Sequence, residues 1–163
     1  MTKDKSRDLG KEVVAYAQSR MKLSKFNMLV GFEVEALSEG GAVLSMTVQE
    51  HHRQIHGVVH GGVTAALADT AAAFAAYTVV PKGTELVTIE LKINYLLPIP
   101  TGKVRAKGTV LRAGRNFVVV ECEVLNHEGE VAAKALMTFG ASSGERLKSQ
   151  LEAGPKSKRT DKS

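Results

Sequence analysis

The stretch from residue 62 to residue 79 constrains this chain most: it is dominated by alanine, with Val63, Leu67 and Phe74 spread around it and no proline. Alanine is the strongest helix former, and apolar residues on every side predict a helix buried within the domain. After Pro81-Lys82-Gly83 the period changes from helical to twofold and stays there. Val87, Ile89, Leu91, Ile93 and Tyr95 mark one face of a long strand, and Thr88, Glu90, Lys92 and Asn94 the other, until Pro98 and Pro100 stop it. Strands over Lys103–Arg112 and Phe117–Leu125 follow, separated by the turn Ala113-Gly114-Arg115-Asn116. Beyond a turn from Asn126 to Gly129, Val131, Ala133, Ala135, Met137 and Phe139 alternate along a last strand.

Upstream of the long helix, Leu9, Val13, Tyr16, Ala17 and Met21 sit at helical spacing, which predicts a short amphipathic helix over residues 9–23. Residues 32–48 alternate around Ser38-Glu39-Gly40-Gly41 and read as a hairpin, and His51 to His60 reads as a loop. One buried helix among six strands is an α+β arrangement, an antiparallel sheet wrapped on one helix. Three segments result: an N-terminal extension over 1–25, the folded domain over 26–141, and a basic tail over 142–163 expected to be disordered beyond a short helix near 145–151.

The net charge of +5 lies in the ends. Residues 1–25 carry +4 and residues 155–163 carry +3, whereas 26–154 carry −2. No aromatic residue interleaves the basic tail, so no nucleic-acid partner is expected. No apolar run approaches the roughly 18 residues a membrane span requires, and the charged start does not resemble a signal peptide, so no membrane partner and a cytoplasmic location are expected. The single Cys122 fits a reducing compartment and falls with Val118, Val120 and Val124 on a core-facing strand side.

On the long helix, the positions sharing a face with Asp69 are Gly62, Ala65, Ala66, Ala72, Ala73 and Ala76, all small. A buried carboxylate among alanines is costly unless something pairs with it or a cleft reaches it. The residues alone leave both readings open, a structural hydrogen bond or a reactive group. At the helix start, Gly61 and Gly62 leave the first N–H groups unobstructed at the positive end of the dipole, where an oxyanion would be stabilised. Asp69 lies eight residues beyond Gly61, roughly 12 Å at 1.5 Å per residue. If both act on one carbonyl, a second copy of the chain must supply one of them, with the two helices antiparallel across a twofold axis.

The segment Gln54-Ile-His56-Gly57-Val-Val-His60-Gly61-Gly62-Val-Thr-Ala-Ala-Leu67-Ala-Asp69, with Val87-Thr88-Ile-Glu90-Leu-Lys-Ile-Asn94-Tyr95-Leu-Leu-Pro98 downstream, resembles the signature of hotdog-fold acyl-CoA thioesterases of the phenylacetate-degradation type. The similarity covers about residues 28–140. It implies a hotdog fold, hydrolysis of an acyl-CoA to free acid and CoA, no cofactor or metal, and a homodimer assembling to a homotetramer. It further implies Asp69 as the catalytic carboxylate, attacking the carbonyl or activating water, and the Gly61 N–H as oxyanion donor. Gln54 would orient the carbonyl or water, His60 would lie near the thioester, and Thr88 would help place the water. Gly62, His56 and Asn94 would contact substrate. His56 stands where relatives often carry an apolar or aromatic residue. On the residues alone, Arg112 and Arg115 flank a hairpin turn and would either meet the CoA phosphates or stand as solvated turn charges.

Competing constellations are weaker. His52, His56 and His60 recur every four residues, as metal ligands on a helix would, but Gly57 and Gly61-Gly62 interrupt any helix there. Gly140-Ala-Ser142-Ser-Gly144 matches a nucleophile elbow, yet no histidine follows His127, so it reads as a strand-end turn. The alternative class is a non-catalytic acyl-CoA sensor, although about 25 residues before Phe26 are short for a DNA-binding unit. A hotdog dehydratase is a third possibility, disfavoured by the motif.

Overall fold

The computed structural model describes residues 7–143. Helix α1 (Gly10–Met21) and a six-residue helix α2 (Lys25–Val30) precede strands β1 (Glu33–Ser38) and β2 (Gly41–Thr47). A 3-10 turn over Glu50–His52 leads to helix α3 (Gly61–Tyr77). Strands β3 (Thr84–Tyr95), β4 (Lys103–Ala113), β5 (Phe117–Leu125) and β6 (Val131–Ser143) complete the chain. The strands form one antiparallel sheet in the order β1-β2-β4-β5-β6-β3, wrapped around α3, which is the hotdog architecture. None of the described helices is long and apolar enough to cross a membrane.

Helix α3 faces the sheet with Thr64, Leu67, Ala68, Ala71, Ala72, Ala75 and Ala76, a stripe at spacings of three and four. Gly108 in β4 lets the helix lie this close, because a Cβ there would sit 2.8 Å from the Ala71 carbonyl oxygen. The expectation of burial on all sides needs correction. The opposite face, with Ala65, Ala66, Asp69 and Ala73, is only half-buried, and Gly62 is exposed. Within one chain the sheet has a single concave face, so alanine's lack of polarity cannot by itself say whether its second side is covered by the same chain.

The phase of β3 also differs. Strict alternation placed Val87 and Ile89 with Leu91, and Thr88 opposite them. A bulge between Thr88 and Glu90 adds one residue and inverts the facing of what precedes it. Thr88 pairs with buried Phe139 and therefore shares the helix-facing side with Leu91 and Ile93, whereas Val87 and Ile89 are exposed. Helix α2, with Ser24 as its N-cap and Gly31 at its left-handed C-cap, has no counterpart in the periodicity because it is too short to repeat.

Helix α1 packs against β1 and buries Ala17 and Met21. Strand β6 continues through Ser142 and Ser143, which removes the turn expected there, since Ser142 pairs with Glu85 of β3. Residues 144–163, including the helix expected near 145–151 and most of the expected tail, lie outside the described residues, as do residues 1–6.

Candidate active site

Two histidines build the approach to α3. His52 is buried, its Nδ1 accepts from the Gln49 N–H at 3.0 Å, and its carbonyl accepts from the His60 N–H at 2.8 Å. Burial lowers the pKa of His52, followed in effect by the neighbouring His51, which keeps the imidazole neutral and able to accept. Between them, Gln54, Val58 and Gly57 close a tight turn, with Gly57 at φ +79°. The Gln54 side-chain oxygen accepts from the His56 N–H at 2.6 Å, which leaves its amide nitrogen to donate outward. The exposed His56 side chain stands on the same turn.

His60 is the N-cap of α3, with extended backbone, and its Nδ1 accepts from the Gly62 N–H at 2.9 Å. The Val63 N–H returns to the His60 carbonyl at 2.9 Å. Sequence reasoning left the N–H groups of both glycines open, but only that of Gly61 lacks an acceptor among the described residues. Gly61 is also pinned from the sheet: the Tyr95 hydroxyl donates to its carbonyl at 2.8 Å, and a Cβ on Gly61 would lie 3.1 Å from the Tyr95 ring. Alternation alone marks Tyr95 as one of the apolar positions of its strand. A tyrosine closing an apolar row beside Pro98 is a weak signal for a hydroxyl that reaches a helix terminus.

Eight residues along α3, the half-buried Asp69 accepts from the Thr88 hydroxyl at 2.9 Å. Burial raises the Asp69 pKa, and the Thr88 hydrogen bond partly opposes that. The structure therefore brings Thr88 to Asp69 and seats His60 and Gly61 at the start of α3, with Gln54 on the turn that precedes it, but Asp69 and Gly61 stand eight residues apart on the same helix. Asn94 is exposed on the side of β3 away from α3, and Arg112 and Arg115 are exposed around the β4–β5 turn. Cys122 is buried against α3 and the sheet, with its thiol pushed up to about 12 by burial.

The comparisons with known proteins agree with this architecture. Residues 56–133 match the model of the thioesterase superfamily. A putative esterase of Haemophilus influenzae is 31% identical over 110 residues, 68% of this chain and 80% of that protein. The proofreading thioesterase EntH of Klebsiella pneumoniae is 31% identical over 100 residues, 61% of this chain and 73% of that one. Among solved structures, a thioesterase from Haemophilus influenzae superposes with a TM-score of 0.76 at 27% identity, covering 80% of this chain and 90% of that one. The E. coli PaaI protein from the phenylacetic acid degradation operon does so with a TM-score of 0.72 at 25% identity, covering 81% and 96%. With the helix that opens on Gly61-Gly62, the carboxylate on its open face and the wrapped antiparallel sheet, these likenesses place the chain in the thioesterase superfamily: it is a hotdog-fold thioester hydrolase.

Proposed function

We propose that the protein hydrolyses acyl-CoA thioesters to a free acid and CoA, at two equivalent sites of a homodimer. The observation that carries this reading is the Asp69–Thr88 pair on the open face of α3, together with the unclaimed N–H of Gly61 at the start of the same helix. Along one helix they are roughly 12 Å apart, so two antiparallel copies of α3 bring each Asp69 to the other chain's Gly61. Strand β3 supports the pairing: it is the edge strand opposite β1, twelve residues long, and among the described residues no strand pairs with its outer ladder, where the Leu86 N–H donates to the Tyr77 hydroxyl.

In this site the thioester oxygen accepts from the Gly61 N–H and from the Gln54 amide. Asp69, with Oδ1 held by Thr88, removes a proton from water through its other oxygen as the water attacks the carbonyl carbon. The negative charge that develops on the carbonyl oxygen rests at the positive end of α3. Collapse of the tetrahedral intermediate breaks the C–S bond, and the departing thiolate takes the proton from Asp69. Arg112 and Arg115 are assigned to the CoA phosphates on the ground of charge and exposure. The reading places the enzyme in the cytoplasm. Pairing of dimers into a tetramer would give the exposed Leu23, Phe26 and Leu29 around α2 a partner.

Asp69→Asn tests the reading, with thiol release measured across acetyl-, phenylacetyl- and dodecanoyl-CoA. Turnover is expected to fall by about 10²-fold or more on all of them. Because the raised pKa means that the charged form is the costly one in the fold, the variant is expected to melt at an equal or higher temperature at neutral pH. Undiminished thiol release would remove Asp69 from the chemistry. A lower melting temperature would instead make the carboxylate structural.

A further inference from the structure

A groove of about 680 Å³ runs between α1, the C-terminal half of α3 and the segment that leads into β3, lined by Val13, Tyr16, Phe74, Tyr77 and Val80 among others. The hydrolytic chemistry uses none of these residues. Helix α1 seats Ala17 and Met21 in the core but leaves Val13 39% and Tyr16 66% exposed, so its apolar stripe is wider than the surface it packs on. The surplus apolar side lines the groove.

The groove adjoins the site along two elements. On α3, Ala73 lies one turn beyond Asp69 and offers only a methyl group, Phe74 follows it directly, and Tyr77 lies one turn further. On β3, the Tyr77 hydroxyl accepts from the Leu86 N–H at 3.2 Å and lies 3.4 Å from Glu85 Oε2, which fixes the ring at the strand. Leu86 is two residues from Thr88, a separation of roughly 7 Å along a strand. Of the groove's residues on α3, Phe74 stands nearest to Asp69, five residues or roughly 7.5 Å along the axis, and no large side chain of α3 stands between them, so the groove runs from there to Tyr77.

We propose that this groove holds the hydrocarbon tail of the acyl group, and that the substrates are acyl-CoAs with unbranched chains of medium to long length. The proposal rests on the assignment of Asp69 to the thioester carbonyl. Tyr77 lies eight residues past Asp69, about 12 Å along the helix, which an extended chain of about ten carbons spans at slightly over 1 Å of rise per C–C bond. An apolar wall of this extent gains transfer free energy with each methylene buried, whereas an acetyl group leaves it unused. Arg20, Lys82 and Glu85 also line the groove, which gives it a polar rim, so a tail longer than the groove emerges into water. The catalytic efficiency is expected to rise with chain length to about ten carbons and then level off.

The test is kcat/KM by thiol release for acetyl-, hexanoyl-, decanoyl- and hexadecanoyl-CoA in the full chain, in Val13→Trp and, as a gentler change on the same wall, in Val13→Ala. Wild type is expected to prefer decanoyl- over acetyl-CoA by tenfold or more. Val13→Trp should reduce the decanoyl-to-acetyl ratio at least tenfold, and Val13→Ala should reduce it two- to threefold. A ratio that is flat in wild type, or that neither variant changes, overturns the proposal, and that is the outcome if a second copy of the chain or its own terminal segments fill the groove. The assignment of Asp69 fails separately: it falls if Asp69→Asn hydrolyses these substrates as wild type does, whatever the Val13 variants do.

Discussion

Burial and Thr88 act on Asp69 in opposite directions. The alanine-lined surroundings disfavour the charged carboxylate and raise its pKa, while the Thr88 hydroxyl donates to Oδ1 and favours the charge. A general base must be ionised to work, so the acid limb of kcat/KM against pH is expected to lie above the ordinary aspartate value of about 3.9. Thr88→Ala removes the one hydrogen bond that opposes burial. The carboxylate pKa should rise further, moving the acid limb to higher pH, and Thr88→Ser should restore it. The pH profiles of the three proteins measure this directly. An acid limb that moves to lower pH in Thr88→Ala, or stays in place, would mean that the limb does not report the Asp69–Thr88 pair. This pairing was only partly legible in the sequence. Asp69 declared itself as a carboxylate among alanines, but alternation put Thr88 on the wrong side of its strand, because a one-residue bulge leaves no mark in a run of β-branched residues.

At the level of the element, the oxyanion role proposed for α3 depends on how its first turn is occupied. His60 claims the Gly62 N–H, Tyr95 holds the Gly61 carbonyl, and the Gly61 N–H remains. Gly61 occupies the first helical position, and His60 before it has φ −62° and ψ 135°, a conformation compatible with a following proline. Gly61→Pro is therefore a helix-tolerated deletion of a single donor, with Tyr95 shifting by a few tenths of an ångström to admit the ring. It should cost about 10²- to 10³-fold in kcat with the far-ultraviolet circular dichroism unchanged. Tyr95→Phe loosens the same turn and should reduce kcat less. Wild-type kcat in Gly61→Pro would exclude this N–H as the oxyanion donor. The helix, its N-terminus and all six strands were readable to within a few residues because each is long enough for its period to repeat. What the period could not carry was which donor the cap consumes. That depends on the rotamer of His60 and on a tyrosine 34 residues downstream, contacts that exist only once the sheet has wrapped the helix.

The open face of α3 and the unpaired edge of β3 belong to the same side of the domain, since β3 carries the Thr88 that meets Asp69. A molecule with a half-buried carboxylate among alanines on one helix face, and a twelve-residue edge strand beside which no further strand lies among the described residues, is half of an assembly, if two antiparallel copies of α3 complete each site. The consequence can be measured without seeing the dimer. Asp69→Asn and Gly61→Pro each inactivate a homodimer, because every site in it lacks one of its two halves. In a heterodimer of the two variants, one site has lost both groups and the other has both intact, the aspartate from the Gly61→Pro chain and the donor from the Asp69→Asn chain. Unfolding and refolding equal amounts together makes half of the dimers heterodimers, each with one of two sites active, so the mixture should recover about a quarter of wild-type activity. Simple mixing without subunit exchange should recover none. If the refolded mixture stays as inactive as its components while wild type treated identically returns, Asp69 and Gly61 act within one chain, and the roughly 12 Å between them must be bridged by something other than a partner.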